Sequence, residues 1–96
     1  MYRIIEGRGT GKTSRLMLLA KETDGTIICS NPKAMEAKAH AYGIVGINFM
    51  SYSDFFNTAD ELIGNYYIDE AESFIQHYIW YNNIRGNFNG YTLSLE

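Results

Sequence analysis

The stretch IIEGRGTGKTS, residues 4–14, constrains the fold more than any other part of the 96-residue chain. Gly7, Gly9 and Gly11 separate an apolar run from an amphipathic one. Glycine enters the left-handed backbone region without a Cβ penalty, so such a loop can turn sharply and aim successive N–H groups at one point. Beyond it, Leu16, Leu19 and Ala20 share one face of a helix expected from Lys12 to about Glu22, which Asp24 and Gly25 end. Before it, residues 2–5 read as a strand. A strand, a glycine turn and a helix in that order predict a sheet built with helical crossovers.

The rest of the chain continues this alternation. A second strand is expected at residues 26–29, where β-branched residues concentrate, and a helix from Pro32 to about Tyr42, opened by Ser30-Asn31-Pro32. A third strand is expected in residues 44–50, starting after Gly46. A short helix capped by Ser53-Asp54 follows, carrying Phe55, Phe56 and Leu62. Residues 66–69 read as a fourth strand. Phe74, Tyr78 and Tyr81, with Ile75 and Ile79 beside them, predict a largely buried helix over 71–84 in which His77 and Trp80 are packing residues. A turn-rich loop leads to a last strand at 91–95. The expectation is one domain, residues 1–96, with a mostly parallel five-stranded sheet in a three-layer α/β/α arrangement.

Two segments carry chemistry. In the first, the end of the loop matches the phosphate-binding pattern G-x-x-x-x-G-K-[ST], except that Glu6 stands where its first glycine belongs. Glu6 could pair with Arg8 or weaken binding. The backbone from Gly7 through Arg8, Gly9, Thr10, Gly11, Lys12, Thr13 and Ser14 is a candidate phosphate cradle, and the helix start adds its dipole and unpaired N–H groups. Lys12 would reach the distal phosphates and the Thr13 hydroxyl would hold Mg²⁺. The alternative is a glycine-rich turn beside a solvated lysine. In the second segment, NYYIDEAES, a strand ends in Asp69 and Glu70. Carboxylates at the C-terminal edge of a parallel sheet lie where such sheets bind ligands. Asp69 would take Mg²⁺, and Glu70 would orient and deprotonate an attacking water. The alternative is a helix N-terminus decorated with acids.

Together, GRGTGKTS and YYIDEAES resemble the Walker A and Walker B motifs of P-loop NTPases of the RecA-like branch with a catalytic glutamate, such as the ATPase cores of phage large terminases and helicases. The resemblance implies Lys12 on phosphate, Thr13 and Asp69 on magnesium and Glu70 as catalytic base; Arg8 could be a cis arginine finger, as in terminase loops, or a solvated loop residue. CSNPKAMEAKAHAYGI is similar to the strand and proline-containing helix start of helicases. GYTLSLE resembles a strand whose tip senses the γ-phosphate, with Ser94 as the sensor. It also implies that the final strand lies between the Walker A and Walker B strands, so that these two are not neighbours.

Composition narrows the setting. Through Lys38 the chain has seven Lys/Arg against four Asp/Glu; from Ala39 onward only Arg85 opposes seven acids. Arg3, Arg8, Lys12 and Arg15 cluster near the loop, which suits a polyanionic ligand, but no overall basic field supports tight nucleic-acid binding. Cys29 is the sole cysteine, and no segment reads as a membrane span or signal peptide, so the expected setting is cytoplasmic, the host cytoplasm for a phage-encoded chain. The leading functional expectation is ATP (or other NTP) binding with Mg²⁺-dependent hydrolysis linked to nucleic acid or a nucleic-acid-processing partner. In a homo-oligomer, Arg85 could reach a neighbour's γ-phosphate. The competing readings are a non-catalytic nucleotide-binding switch or decoy acting through a protein partner, and a small-molecule kinase, against which the lack of an arginine-rich lid counts. The base recognised is not legible.

Overall fold

The computed structural model describes residues 1–7, 9–61 and 64–94. Its elements are α1 (Lys12–Glu22), β1 (Thr26–Cys29), α2 (Pro32–Ala41), β2 (Asn48–Ser51), α3 (Tyr52–Thr58) with a 3-10 turn (Ala59–Glu61), β3 (Tyr66–Ile68) and α4 (Ala71–Tyr81). The strands form one parallel sheet in the order β2-β1-β3, with Thr26 opposite both Asn48 and Tyr66.

β1 is the centre because its residues can be buried on both sides. Ile27, Ile28 and Cys29 have almost no exposed surface. By alternation, Ile27 and Cys29 face one side and Ile28 the other. On the Ile27 side, Met17 and Ala20 of α1 and Met35 and Ala39 of α2 join them in one core cluster with Ile44, and Phe49 and Tyr67 pack at its margin. Met17 and Ala20, like Met35 and Ala39, are three or four residues apart, the spacing that puts two side chains on one helical face. α2 starts where the sequence marks it: the Asn31 side chain accepts from the Ala34 N–H at 3.1 Å and Pro32 opens the first turn. Gly25 lets the end of α1 approach β3, since a Cβ there would sit 2.9 Å from the Tyr67 ring and 3.2 Å from the Asn65 carbonyl oxygen.

α3 lies against β1 and β2, and α4 packs on α3. Rings make the α3–α4 contact: Phe56 meets Phe74, Tyr78 and Tyr81 at centroid separations of 5.3, 5.4 and 5.2 Å. The cap of α3 differs from expectation, because Ser51 rather than Ser53 accepts the Asp54 N–H.

The five-stranded, three-layer expectation is corrected: the described sheet has three strands. Residues 2–5 and 91–94 are irregular, so no final strand separates a loop strand from the Asp69 strand, and β3 pairs directly with β1. The physical reason at the first segment is local. The residues that follow it, Glu6 and Gly7, are tied to the loop and to α1, through Lys12 to the Glu6 carbonyl, Thr10 to the Gly7 carbonyl and Arg15 to the Glu6 carboxylate, and residues 2–5 themselves join no described strand. A short β-prone run holds strand geometry only while a neighbour pairs with it. Leu95 and Leu62 lie outside the described residues.

α4 also departs from expectation. It has no buried residue. Tyr78 and Tyr81 touch Phe56 with one face and remain about half open, and Trp80 is 63% exposed. Most of the tyrosines lie at the surface, whereas Tyr52 is 2% exposed.

Candidate functional site

The crossovers decide which ends meet. α1 feeds β1 through a short turn and runs antiparallel to it, so the start of α1 lies at the edge where β1 ends. β3 is parallel to β1 and ends at that same edge. The glycine loop and the Asp69-Glu70 turn therefore face each other across a cleft of about 370 Å³. Gly9, Gly11, Lys12, Thr13 and Ser14 form one wall and Glu70 stands at the other.

The loop uses its glycines unequally. Gly9 and Gly11 have φ of +78° and +79°, the left-handed region, whereas Gly7 does not need it. A Cβ at Gly11 would meet only the Ser14 hydroxyl, at 3.5 Å, so backbone conformation rather than crowding requires glycine there. Gly11 is the N-cap of α1 and supplies no side chain to its free N–H groups. Those donors are thus left for a ligand. The Ser14 hydroxyl donates to the Gly11 carbonyl at 3.0 Å and Thr10 to the Gly7 carbonyl at 2.8 Å, which braces the turn. Lys12 Nζ reaches back to the Glu6 carbonyl oxygen at 2.9 Å. Glu6, the departure from the motif, is paired with Arg15 on α1, and this contact holds its carboxyl below the ordinary glutamate range. Arg8 lies outside the described residues.

At the opposite wall, the Asp69 N–H donates to the Ile28 carbonyl at 3.0 Å, extending the β1–β3 ladder by one residue. Asp69 follows Ile68 and so points to the side of the sheet that carries α1. Burial raises its carboxyl above the ordinary aspartate range and the Glu70 charge raises it further, while Lys38, Lys12 and the Thr13 hydroxyl pull it back. Thr13 and Asp69 are thus neighbours. Glu70 has φ +60° and ψ +74°, a conformation that costs a non-glycine residue roughly 1–2 kcal/mol. It caps α4 without a side-chain bond to it, and it lines the cleft. Tyr52 fixes this turn from below: its hydroxyl donates to the Asp69 carbonyl at 2.6 Å, with the Glu70 carbonyl at 3.3 Å.

Two lining residues had no motif to announce them. Lys38 and Tyr42, four apart at the end of α2, line the cleft. The available signal was their shared flank beside the apolar pair Met35 and Ala39. Ser94, the expected sensor, lies in exposed irregular chain and is not among the lining residues. Arg85 is exposed in the loop after α4.

Among the described residues no three His, Cys, Asp or Glu side chains gather as a metal cluster. The donors that do adjoin, a threonine hydroxyl and a carboxylate, fit Mg²⁺, which keeps much of its water and takes few protein ligands beside phosphate oxygens. No described helix is long and apolar enough to cross a membrane.

Comparison with known proteins gives no further constraint: the chain matches no family model, no curated protein and no solved structure.

Proposed function

We propose that the chain binds a nucleoside triphosphate, ATP or a relative of it, and hydrolyses it with Mg²⁺. One observation carries this reading: the glycine loop at the start of α1 and Glu70, just past the end of β3, line one cleft, with the Asp69 carboxyl close to the Thr13 hydroxyl. The N–H groups of residues 9–13 donate to phosphate oxygens. Lys12 exchanges the Glu6 carbonyl for a phosphate oxygen, and gains because a charged hydrogen bond to an anion is stronger than one to a neutral carbonyl. Thr13 and Asp69 hold the magnesium, which when bound neutralises phosphate charge. Glu70 takes the proton of the attacking water, a role that suits an exposed carboxylate at the cleft with no competing helix-cap bond. The division of labour is the one that Walker A and Walker B segments perform in P-loop NTPases, here proposed on a three-stranded sheet.

The decisive experiment is calorimetric titration of ATP and GTP with Mg²⁺ on the wild type and Lys12→Ala, with phosphate release measured in parallel on Glu70→Gln. Binding by the wild type, its loss in Lys12→Ala, and loss of release with retained binding in Glu70→Gln are expected. A wild type that binds neither nucleotide removes the reading.

A second reading, a nucleotide-loaded switch acting through a protein partner, is favoured by the outward aromatic surface of α4, where Tyr78, Trp80 and Tyr81 are exposed. Tight nucleotide binding without phosphate release would select it.

A further inference from the structure

The cleft has a wall that neither motif supplies. α2 packs on the same face of the sheet as α1, burying Met35 and Ala39 in the shared core. Its two flanks differ. Glu36 and His40 sit together on one flank, four apart and 3.9 Å from each other. Lys38 and Tyr42 occupy the other flank, and both border the cleft opposite the glycine loop. Among the described residues the ion pairs are Arg15–Glu6 and His40–Glu36, so the Lys38 ammonium belongs to neither.

The charge balance of this edge makes the lysine matter. Asp69 and Glu70 bring two negative charges to it. Among the described residues of the loop and α1, Lys12 brings one positive charge, and Arg15 is already matched by Glu6. Without Lys38 the described side chains of the site are net negative until magnesium joins them, and the repulsion would be strongest for the phosphate nearest the carboxylates. That phosphate is the terminal one, because the loop and the α1 start grip the chain from the other wall.

We propose that Lys38 is the second phosphate-binding cation of this cleft, contacting the terminal phosphate of a triphosphate and so setting the preference for triphosphate over diphosphate. The inference rests on the nucleotide reading above for its natural ligand, but its chemistry requires only a polyphosphate chain. Lys38 is a long, flexible point charge, suited to following a terminal phosphate that is present before hydrolysis and absent after it. Loss of the terminal phosphate then removes its contact, which favours release of the diphosphate.

The test is titration of Mg²⁺-ATP, Mg²⁺-ADP, tripolyphosphate and pyrophosphate onto the wild type, Lys38→Ala and Lys38→Arg. Lys38 is exposed on a helix, and alanine is a good helix former, so thermal melting should be unchanged in the alanine variant and certifies its fold. Lys38→Ala is expected to weaken ATP and tripolyphosphate by about tenfold or more while ADP and pyrophosphate change by less than about threefold, with Lys38→Arg close to wild type. Equal losses for the long and short ligands, or no loss at all, overturn the assignment. If the wild type binds tripolyphosphate with this dependence yet no nucleotide, Lys38 keeps its role and the nucleotide reading fails. If it binds no polyphosphate of any kind, both fall.

Discussion

Glu6 is paired with Arg15 of α1. The carboxylate that interrupts the phosphate-binding motif is thereby turned toward α1, one turn beyond Lys12, and the pair is nearly neutral as seen from the cleft. Both side chains are well exposed. Glu6→Gly therefore does two things: it restores the motif glycine and it frees the Arg15 guanidinium near the anion site. Binding of Mg²⁺-ATP, followed by calorimetry, should tighten by about three- to tenfold at low ionic strength, and the gain should fade as salt screens the new charge. Adding Arg15→Ala to Glu6→Gly should cancel most of the gain. A gain that survives both the added salt and the loss of Arg15 would point to loop conformation instead.

Glu70 occupies the left-handed region at a position where glycine would be relaxed. Exchange for glycine removes the steric cost and adds some unfolded-state entropy, leaving a net stabilisation of up to about 1 kcal/mol in chemical denaturation. The same change deletes the proposed base, so phosphate release should fall by about 10²- to 10⁴-fold. Greater stability with lost turnover would mark the turn as one where strain serves function. A destabilised Glu70→Gly protein would show that the glutamate side chain holds the fold.

Two buried groups set the alkaline limit of stability. Burial pushes the Cys29 thiol from 9.0 up to about 11, with the Asp69 charge adding to it. Burial likewise pushes the Tyr52 hydroxyl from 10.0 up to about 12. Both groups release their protons more readily in the unfolded chain, so the unfolded state gains ground as pH rises through the unfolded values. Stability present below pH 9 should decline between about pH 9 and 12, with Cys29 contributing on the order of 2 kcal/mol of the loss. Urea unfolding at a series of pH values measures this, and Cys29→Ala combined with Tyr52→Phe should flatten the curve. An unchanged slope in the double variant would assign the alkaline loss to other groups.

What could be read from the residues was whatever depended on near neighbours in the chain. α1, β1 and α2 stand close to their expected bounds, with Asn31 and Pro32 opening α2 as local signals, but the buried face of α1 is Met17 and Ala20 rather than Leu16, Leu19 and Ala20. The glycine turn before α1 and the strand end at residues 66–68 were legible from local signals of the same kind. Residues 2–5 and 91–94 were not, since a tetrapeptide rich in β-formers has no strand to join until a distant segment offers hydrogen bonds. The burial of α4 was misjudged because spacing tells which side chains share a face, and nothing about what covers it. Phe74 sits among rings while Trp80, on the same helix, faces outward. Lys38 and Tyr42 carried no motif, and only the packing of α2 beside α1 brought them to the cleft.

The protein's one tryptophan is wired to its candidate catalytic turn by rings. Trp80 lies 5.3 Å from the His77 ring, His77 lies 4.9 Å from the Tyr52 ring, and the Tyr52 hydroxyl holds the Asp69 carbonyl. A displacement of that turn that carried Tyr52 with it would move the imidazole next to the indole. An imidazole in contact quenches indole emission to a degree set by distance and protonation. The chain thus contains its own optical gauge: occupancy of the cleft should register as a change in tryptophan emission, with no label attached and no residue of the site altered.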